Sequence, residues 1–355
     1  YWLSAMPGLA CGLLRILNSF LIPMFGTKKV ITVTTFLKII PLSMLGFAVM
    51  DPSSTFGYFM LIAFLLGIGG GDFSSYMPST SLFFPKKELG TALGVQAGIG
   101  NFGVSLVQLL SPLIIGLSIF SFMGGGEIMA KTGKIIYLEN IAFIYIISLF
   151  LVGIWALISL KSIPVVASFK EQMDIFGDKH TWYCTLTYFM TFGTFAGMAA
   201  AFPMMIKSLY VPLDGELDPL KFAFYGPLIG SATRVVFGKI ADKTGGAILT
   251  HITGIALIIL FAALIFGGFL TPTSMDQFPY FVGIVMLIFF FTGIGNAATF
   301  KQFPMIFSDS PRKAAGVIGW TAAIAAFGPF VFNVLISTSK SMSGDARLFF
   351  ALMLL

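Results

Sequence analysis

Charge is scarce in this chain of 355 residues: Asp, Glu, Lys and Arg make up 10% of it, against 57% hydrophobic residues. Soluble globular domains carry about a quarter of their residues as charges, so a water-soluble fold is excluded. Histidine is almost missing. His180 lies in a polar stretch and His251 near the end of an apolar run, with no acid cluster beside either, which denies an enzyme its base and a metal its ligand set. The two cysteines, Cys11 and Cys184, fall in apolar segments where a thiol acts as a small hydrophobe, so neither a disulfide nor a redox role is expected. No cofactor, metal or nucleic-acid partner is expected, and no soluble output domain of the kind a membrane-bound anion sensor carries is visible.

Long apolar runs are what the chain has instead, with a mean hydropathy of +0.94. Runs able to cross hydrocarbon fall near 1–25, 31–50, 56–84, 90–120, 141–160, 183–206, 222–240, 247–270, 279–307 and 315–338, with a further one from 347. They predict an all-α, polytopic protein of the inner (plasma) membrane, a monomer in the lipid bilayer. Residue 1 opens inside one run and residue 355 closes inside another, so a fragment short of a first helix and most of a last one is expected. Basic residues sort by side. The turns 26–30, 85–90, 161–182, 238–246 and 308–314 hold eleven, and the opposite turns hold six: Lys131, Lys134, Lys207, Lys221, Lys340 and Arg347. The positive-inside rule places the first set in the cytoplasm.

Four basic residues lie within the runs, Arg15, Lys38, Arg234 and Lys301, and they face a single acid, Asp72. A guanidinium keeps its proton and is costly in hydrocarbon, so such residues turn toward a water-filled cavity and mark an ion or substrate pathway. Ser4, Gly8, Cys11, Arg15 and Asn18 form one small and polar helix face, which points Arg15 inward. Asn101, Ser105 and Gln108 form a second polar stripe, and Tyr188 and Phe192, spaced i,i+4, share a helix face. Gly94, Gly98, Gly100 and Gly103 are expected to let helices approach closely.

The chain also repeats itself. Gly67-Ile-Gly-Gly-Gly-Asp-Phe recurs as Gly293-Ile-Gly-Asn-Ala-Ala-Thr 226 positions later, and Arg15 and Arg234, 219 apart, fall at the same place in the two copies. Two similar halves are expected, 1–160 and 183–355, joined by a polar cytoplasmic loop, 161–182. Paired halves with a site between them near the bilayer midplane are the build of a secondary transporter.

Particular segments carry a resemblance. Gly238-Lys-Ile-Ala-Asp-Lys-Thr-Gly245 is similar to the loop motif of the major facilitator superfamily, and Ala97-Gly-Ile-Gly-Asn-Phe-Gly-Val-Ser-Leu-Val-Gln108 closely resembles the nitrate signature of the nitrate/nitrite porters within it. Gly67–Met77, Tyr188–Phe195 and Gly293–Pro304 resemble further segments of that family. The resemblance implies two pseudo-symmetric six-helix halves, of which this chain begins at the second helix and ends inside the twelfth. It also implies that Arg15 and Arg234 grip nitrate or nitrite, with Phe73, Tyr188 and Phe192 as the aromatic residues and Asn101 as the signature amide. Two guanidinium forks bonding the oxygens of a flat anion, and aromatic rings sandwiching its plane, make chemical sense of that set.

Rival readings stand beside these. Asn101 serves equally as a ligand or as a bond between helices. Asp72 stands where the family usually has an amide; it pairs with Lys38 or Lys301, titrates and so couples protons, or is a tolerated variant, and pairing is preferred. Lys38 alternatively snorkels to the membrane surface, and Lys301 resembles a family residue of the tenth helix. The expected activity is nitrate/nitrite exchange by alternating access, and no enzyme. Proton-coupled nitrate symport is the runner-up, and exchange of an organic phosphate or carboxylate follows.

Overall fold

The structure is a computed structural model that describes residues 2–129, 133–162 and 168–354; Tyr1, Lys131, Leu355 and part of the loop 161–182 lie outside the described residues. Helices make up nearly all of it: α1 (Trp2–Phe25), α2 (Thr27–Leu37), α3 (Ile39–Ala48), α4 (Phe56–Leu66), α5 (Ile68–Gly71), α6 (Phe73–Phe83), α7 (Leu89–Ile114), α8 (Glu139–Ser159), α9 (Phe169–Gln172), α10 (Lys179–Tyr188), α11 (Thr194–Leu209), α12 (Leu220–Ala223), α13 (Tyr225–Thr244), α14 (Gly246–Phe266), α15 (Phe278–Ile306), α16 (Pro311–Ala325), α17 (Gly328–Ser343) and α18 (Arg347–Leu352). Several join into longer rods with one residue between them, α2 and α3 at Lys38, α5 and α6 at Asp72. Among the described residues nine rods are long and apolar enough to cross a membrane. The predicted span 222–240 is helical but is not one of the nine; it falls largely in α13, which carries Arg234, Lys239, Asp242 and Lys243 and packs between α7 and α15.

Helices overrun the predicted spans because capping groups, not hydropathy, set their ends. The Asp178 side chain accepts the His180 N–H at the start of α10, and Ser310 accepts the Lys313 N–H at the start of α16. The loop 161–182 is correspondingly shorter and partly helical. It contains α9, which opens with a reciprocal Ser168 and Glu171 cap, and a tight turn of helix over Met173–Gly177. Hydropathy predicts a span to 120, but α7 ends at Ile114, and a two-stranded hairpin, β1 (Glu127–Ile128) against β2 (Ile135–Ile136), follows as the one pair of strands among the described residues. Phe189–Gly193, between α10 and α11, is a wider π turn. Such turns arise where a helix is adapted to a site.

Gly26 and Gly245, 219 positions apart, adopt the same left-handed geometry, φ 82° and ψ 151° in one, φ 81° and ψ 157° in the other, which only glycine takes without strain. Two seams join the copies in matching fashion. On one, α7 lies on α13, and a Cβ added to Gly94 would come within 3.0 Å of the Gly238 Cα. On the other, α1 lies on α16 and α17, and a Cβ on Gly319 would come within 3.3 Å of Ser19. Gly98 serves the first seam as expected, facing Val235 at 2.5 Å, but Gly100 and Gly103 do not: a Cβ on either meets no described atom within 4 Å. The copies also differ in cover. A Cβ on Gly295 would strike Thr191 at 2.4 Å, whereas one on Gly69, its counterpart, meets nothing.

Candidate functional site

Arg15 leaves α1 from its small-residue face and is 6% exposed. Its Nε donates to the Gly70 carbonyl at 2.7 Å, and Nη1 to the Ala322 carbonyl at 2.9 Å, so it bridges α5 of the first copy and α16 of the second. Gly67, Gly70 and Gly71 make this approach, since a Cβ on them would meet Pro7, Ala10, Cys11 or Leu14 of α1 within 2.9 Å. Ser74 donates to the Arg15 carbonyl at 2.8 Å and Ser75 to that of Asn18 at 3.0 Å, completing the clasp. The guanidinium lies 4.5 Å from the Phe73 ring centroid and 5.4 Å from that of Phe192.

Arg234 is fully buried, yet among the described residues only one hydrogen bond holds its head group, Nη2 to the Tyr188 hydroxyl at 3.2 Å. Its Nε and Nη1 have no partner among the described residues. An unsatisfied donor in a buried position costs about 1–3 kcal/mol, more when charged, so such groups stand ready for an acceptor. The same ring that neighbours Arg15 neighbours Arg234, with Phe192 at 5.9 Å, and Phe300 lies at 4.9 Å. Neither arginine forms an ion pair with an acid among the described residues. Cation-π contact stabilises each by about 2 kcal/mol where water is excluded, but it leaves the charge in place.

The aromatic residues form one stack. Phe73 lies on Phe192 at 5.6 Å, Phe192 on Tyr188 at 5.4 Å with an interplanar angle of 3°, and Tyr188 on Phe300 at 4.5 Å. The π turn Phe189–Gly193 begins directly after Tyr188 and contains Phe192, and the two rings lie parallel, a geometry that i,i+4 spacing alone does not specify. A flat anion between two rings needs about 7 Å or more, two contacts of roughly 3.5–4 Å each, so the sandwich expected from sequence is closed here. Phe73 and Phe192 touch, and a guest must part them. Phe300 is the member of this stack, in contact with Arg234, that sequence reasoning missed. The repeat marks its segment, but nothing in its spacing separates it from the other 39 phenylalanines among a total of 40.

Asn101 lies on the buried side of α7; among the described residues its Nδ2 has no hydrogen-bond partner and neither guanidinium bonds it. Asp72, Lys38 and Lys301 are drawn elsewhere. Lys38 does not snorkel: its Nζ meets Asp72 Oδ2 at 2.5 Å with 14% of its side chain exposed. Lys301 pairs not with Asp72 but with Asp242 at 2.8 Å, and donates also to the Lys86 carbonyl at 2.9 Å. Hydropathy had no means of placing Asp242 at that depth, because α13 continues through it to Thr244.

Asp242 belongs to a lock at the end of the bundle where the basic turns gather. It accepts from the Gly90 N–H at 2.9 Å and the Thr91 N–H at 2.7 Å at the start of α7, where the helix dipole favours an anion. At the matching place on the other seam, the start of α16, the linker supplies the acid: Asp174 is paired with Arg312 and lies 3.6 Å from Lys313. Gln172 beside it donates to the Phe20 carbonyl at 3.4 Å and so ties the linker to α1.

Comparison with known proteins follows this geometry. The family model of the Major Facilitator Superfamily matches residues 1–333. The chain is 50% identical to the probable nitrate/nitrite antiporter NarK2 of Thermus thermophilus, over 99% of its own length and 79% of the relative's. It is 35% identical to the nitrate/nitrite transporter NarU of Salmonella typhimurium, over 97% of its length and 78% of that protein. Among solved structures, the human organic anion transporter MFSD10 superposes with a TM-score of 0.67 at 14% identity, covering 99% of this chain and 80% of that one.

Proposed function

Since the chain belongs to the Major Facilitator Superfamily and, within it, to the nitrate/nitrite porters, we propose that it carries nitrate inward and nitrite outward across the plasma membrane by alternating access. The observation that carries this reading is Arg234, wholly buried with Nε and Nη1 unpartnered among the described residues, sharing the Phe192 ring with Arg15. Two permanent cations with no acid between them repel; a singly charged guest offsets that repulsion and accepts from the free donors. Substrate contact falls to Arg15, Arg234, Phe73, Tyr188, Phe192 and Phe300, with Asn101 as a further donor. Because Phe73 and Phe192 touch, a slim planar anion enters with less displacement than a tetrahedral phosphate. This favours nitrate and nitrite over organic phosphates.

Transport then follows from charge. The two seams are smooth with glycine, so the halves rock about the site, and the Asp242 and Asp174 locks hold the cytoplasmic end shut until the halves part there. Without cargo the facing cations resist closure, so reorientation requires an anion and exchange is obligatory. The test is counterflow in vesicles: nitrite-loaded vesicles take up nitrate faster than empty ones, without acidification. Equal rates with and without internal nitrite, together with uptake driven by a proton gradient, would establish symport instead.

A further inference from the structure

Two helical rods of the first copy are interrupted, one at Lys38 and the other at Gly67 and again at Asp72, and Lys38 and Asp72 are bonded to each other. Asp72 Oδ2 receives Lys38 Nζ at 2.5 Å, the Tyr76 hydroxyl at 2.8 Å and the Thr34 hydroxyl at 3.3 Å, with the carboxylate 3% exposed. The backbone around that carboxylate is the part of the rod that holds Arg15: Gly70, two residues earlier, offers its carbonyl to Nε, and Phe73, one residue later, lays its ring beside the guanidinium. One side of the break therefore faces α2 and the other faces the site.

The second copy supplies an internal control. By the repeat, Asp72 corresponds to Ala298, Lys38 to Leu257 and Gly70 to Asn296. There is no ion pair at those positions; α15 runs from Phe278 to Ile306 without a break, and Arg234 Nε donates to no carbonyl among the described residues. The ion pair, the interruption and the fixed arginine occur together in one copy and are absent together from the other.

We infer that Lys38 and Asp72 are positioning residues for the anion site: by pinning the interrupted rod to α2 they fix the Gly70 carbonyl and the Phe73 ring on Arg15, and so set anion affinity without touching the anion. The inference rests on the proposed anion transport. Asp72 is held by a cation and two hydroxyls and acts through geometry.

The experiment compares wild type with Asp72→Asn, the Lys38→Met/Asp72→Asn pair and the exchanged pair Lys38→Asp/Asp72→Lys. A cavity of about 360 Å3 bordered by Lys38, Leu66, Gly69 and Tyr145 leaves room on that side for the exchanged groups to meet. Asp72→Asn and the neutral pair are expected to raise KM for nitrate about tenfold or more while maximal exchange changes by less than about threefold, and the exchanged pair to recover most of the affinity. A second readout needs no transport. Cys11 packs against Gly70, so in a Cys184→Ser background its alkylation rate reports the break, and it is expected to rise in Asp72→Asn and fall back in the exchanged pair. Unchanged KM and unchanged Cys11 reactivity in Asp72→Asn overturn the inference. So does loss of pH dependence with affinity intact, which marks a proton carrier. If wild type moves no nitrate, the functional reading fails by itself, and Cys11 still decides whether the pair holds the break.

Discussion

Asp242 on α13 and Thr91 on α7 are joined twice through one oxygen: Oδ2 accepts the Thr91 N–H at 2.7 Å and the Thr91 hydroxyl at 2.6 Å. Burial pushes the carboxyl of Asp242 up, but the Lys301 ammonium, the Thr91 hydroxyl and N–H and the Gly90 N–H outweigh it and hold it below the usual carboxylate range. A carboxylate with a depressed value contributes to the closed arrangement at every pH above its ordinary value of about 4 and loses that contribution as pH falls through the depressed value. Between pH 5 and 8 this lock is therefore constant. Asp242→Asn removes it at all pH and leaves Lys301 a buried, poorly paired cation, a loss on the order of 3 kcal/mol. The expected result is a population open at this end, measured as increased distances between spin labels at Glu88 and Lys243; unchanged distances refute the lock.

Arg15→Lys and Arg234→Lys are expected to fail differently. Lysine presents a point charge in place of a planar fork. At position 15 it cannot bridge Gly70 and Ala322 at once, which couples the two copies, so maximal exchange should fall steeply. At position 234 the lost groups are the unpartnered donors, so affinity should fall first, about a hundredfold, on the order of 2.7 kcal/mol. Saturation curves for nitrate exchange separate the two. An equal loss of rate in both, with affinity retained, contradicts the assignment of free donors to the anion.

The contrast between the arginines shows what sequence reveals. Their depth, their repeat spacing and the scarcity of acid identified both, since charge in an apolar run is visible in one dimension. Which of their donors are already used was not legible, because the Gly70 and Ala322 carbonyls are backbone groups that every residue carries. Phe300 stayed hidden among forty phenylalanines for the same reason: its identity is ordinary and only its contact with Arg234 is not. Asp242 was legible as a motif residue and illegible as a buried lock, since hydropathy ends a span where charge begins and the helix does not.

Tyr188→Phe tests the one bond that fixes Arg234. The ring stays in the stack between Phe192 and Phe300, and only the hydroxyl at 3.2 Å from Nη2 is lost. A hydrogen bond to a charged group contributes about 1.5–3 kcal/mol. Nitrate affinity is expected to drop by about tenfold or more and the thermal unfolding temperature to fall as well, read by binding calorimetry and a melting curve on the same preparation; unchanged affinity with a lowered unfolding temperature would leave the bond a purely structural one.

Gly98→Ala and Gly100→Ala form the last comparison, two conservative changes on one helix turn with opposite expectations. A Cβ at 98 comes within 2.5 Å of Val235 Cγ2 and 3.0 Å of the Ser231 carbonyl. Val235 is β-branched and stiff at χ1, and the carbonyl is part of α13, so neither yields cheaply. Overpacking of this kind costs about 1–3 kcal/mol, and it falls on the seam along which the halves must move. A Cβ at 100 meets nothing described within 4 Å, and alanine there gains about 0.5–1 kcal/mol of helix propensity over glycine. Gly98→Ala should lower both the unfolding temperature and the exchange rate, whereas Gly100→Ala should preserve the first or raise it. If Gly100→Ala proves the more damaging of the two, position 100 carries a contact outside the described residues, and the α7 face opposite α13 is part of a packed interface.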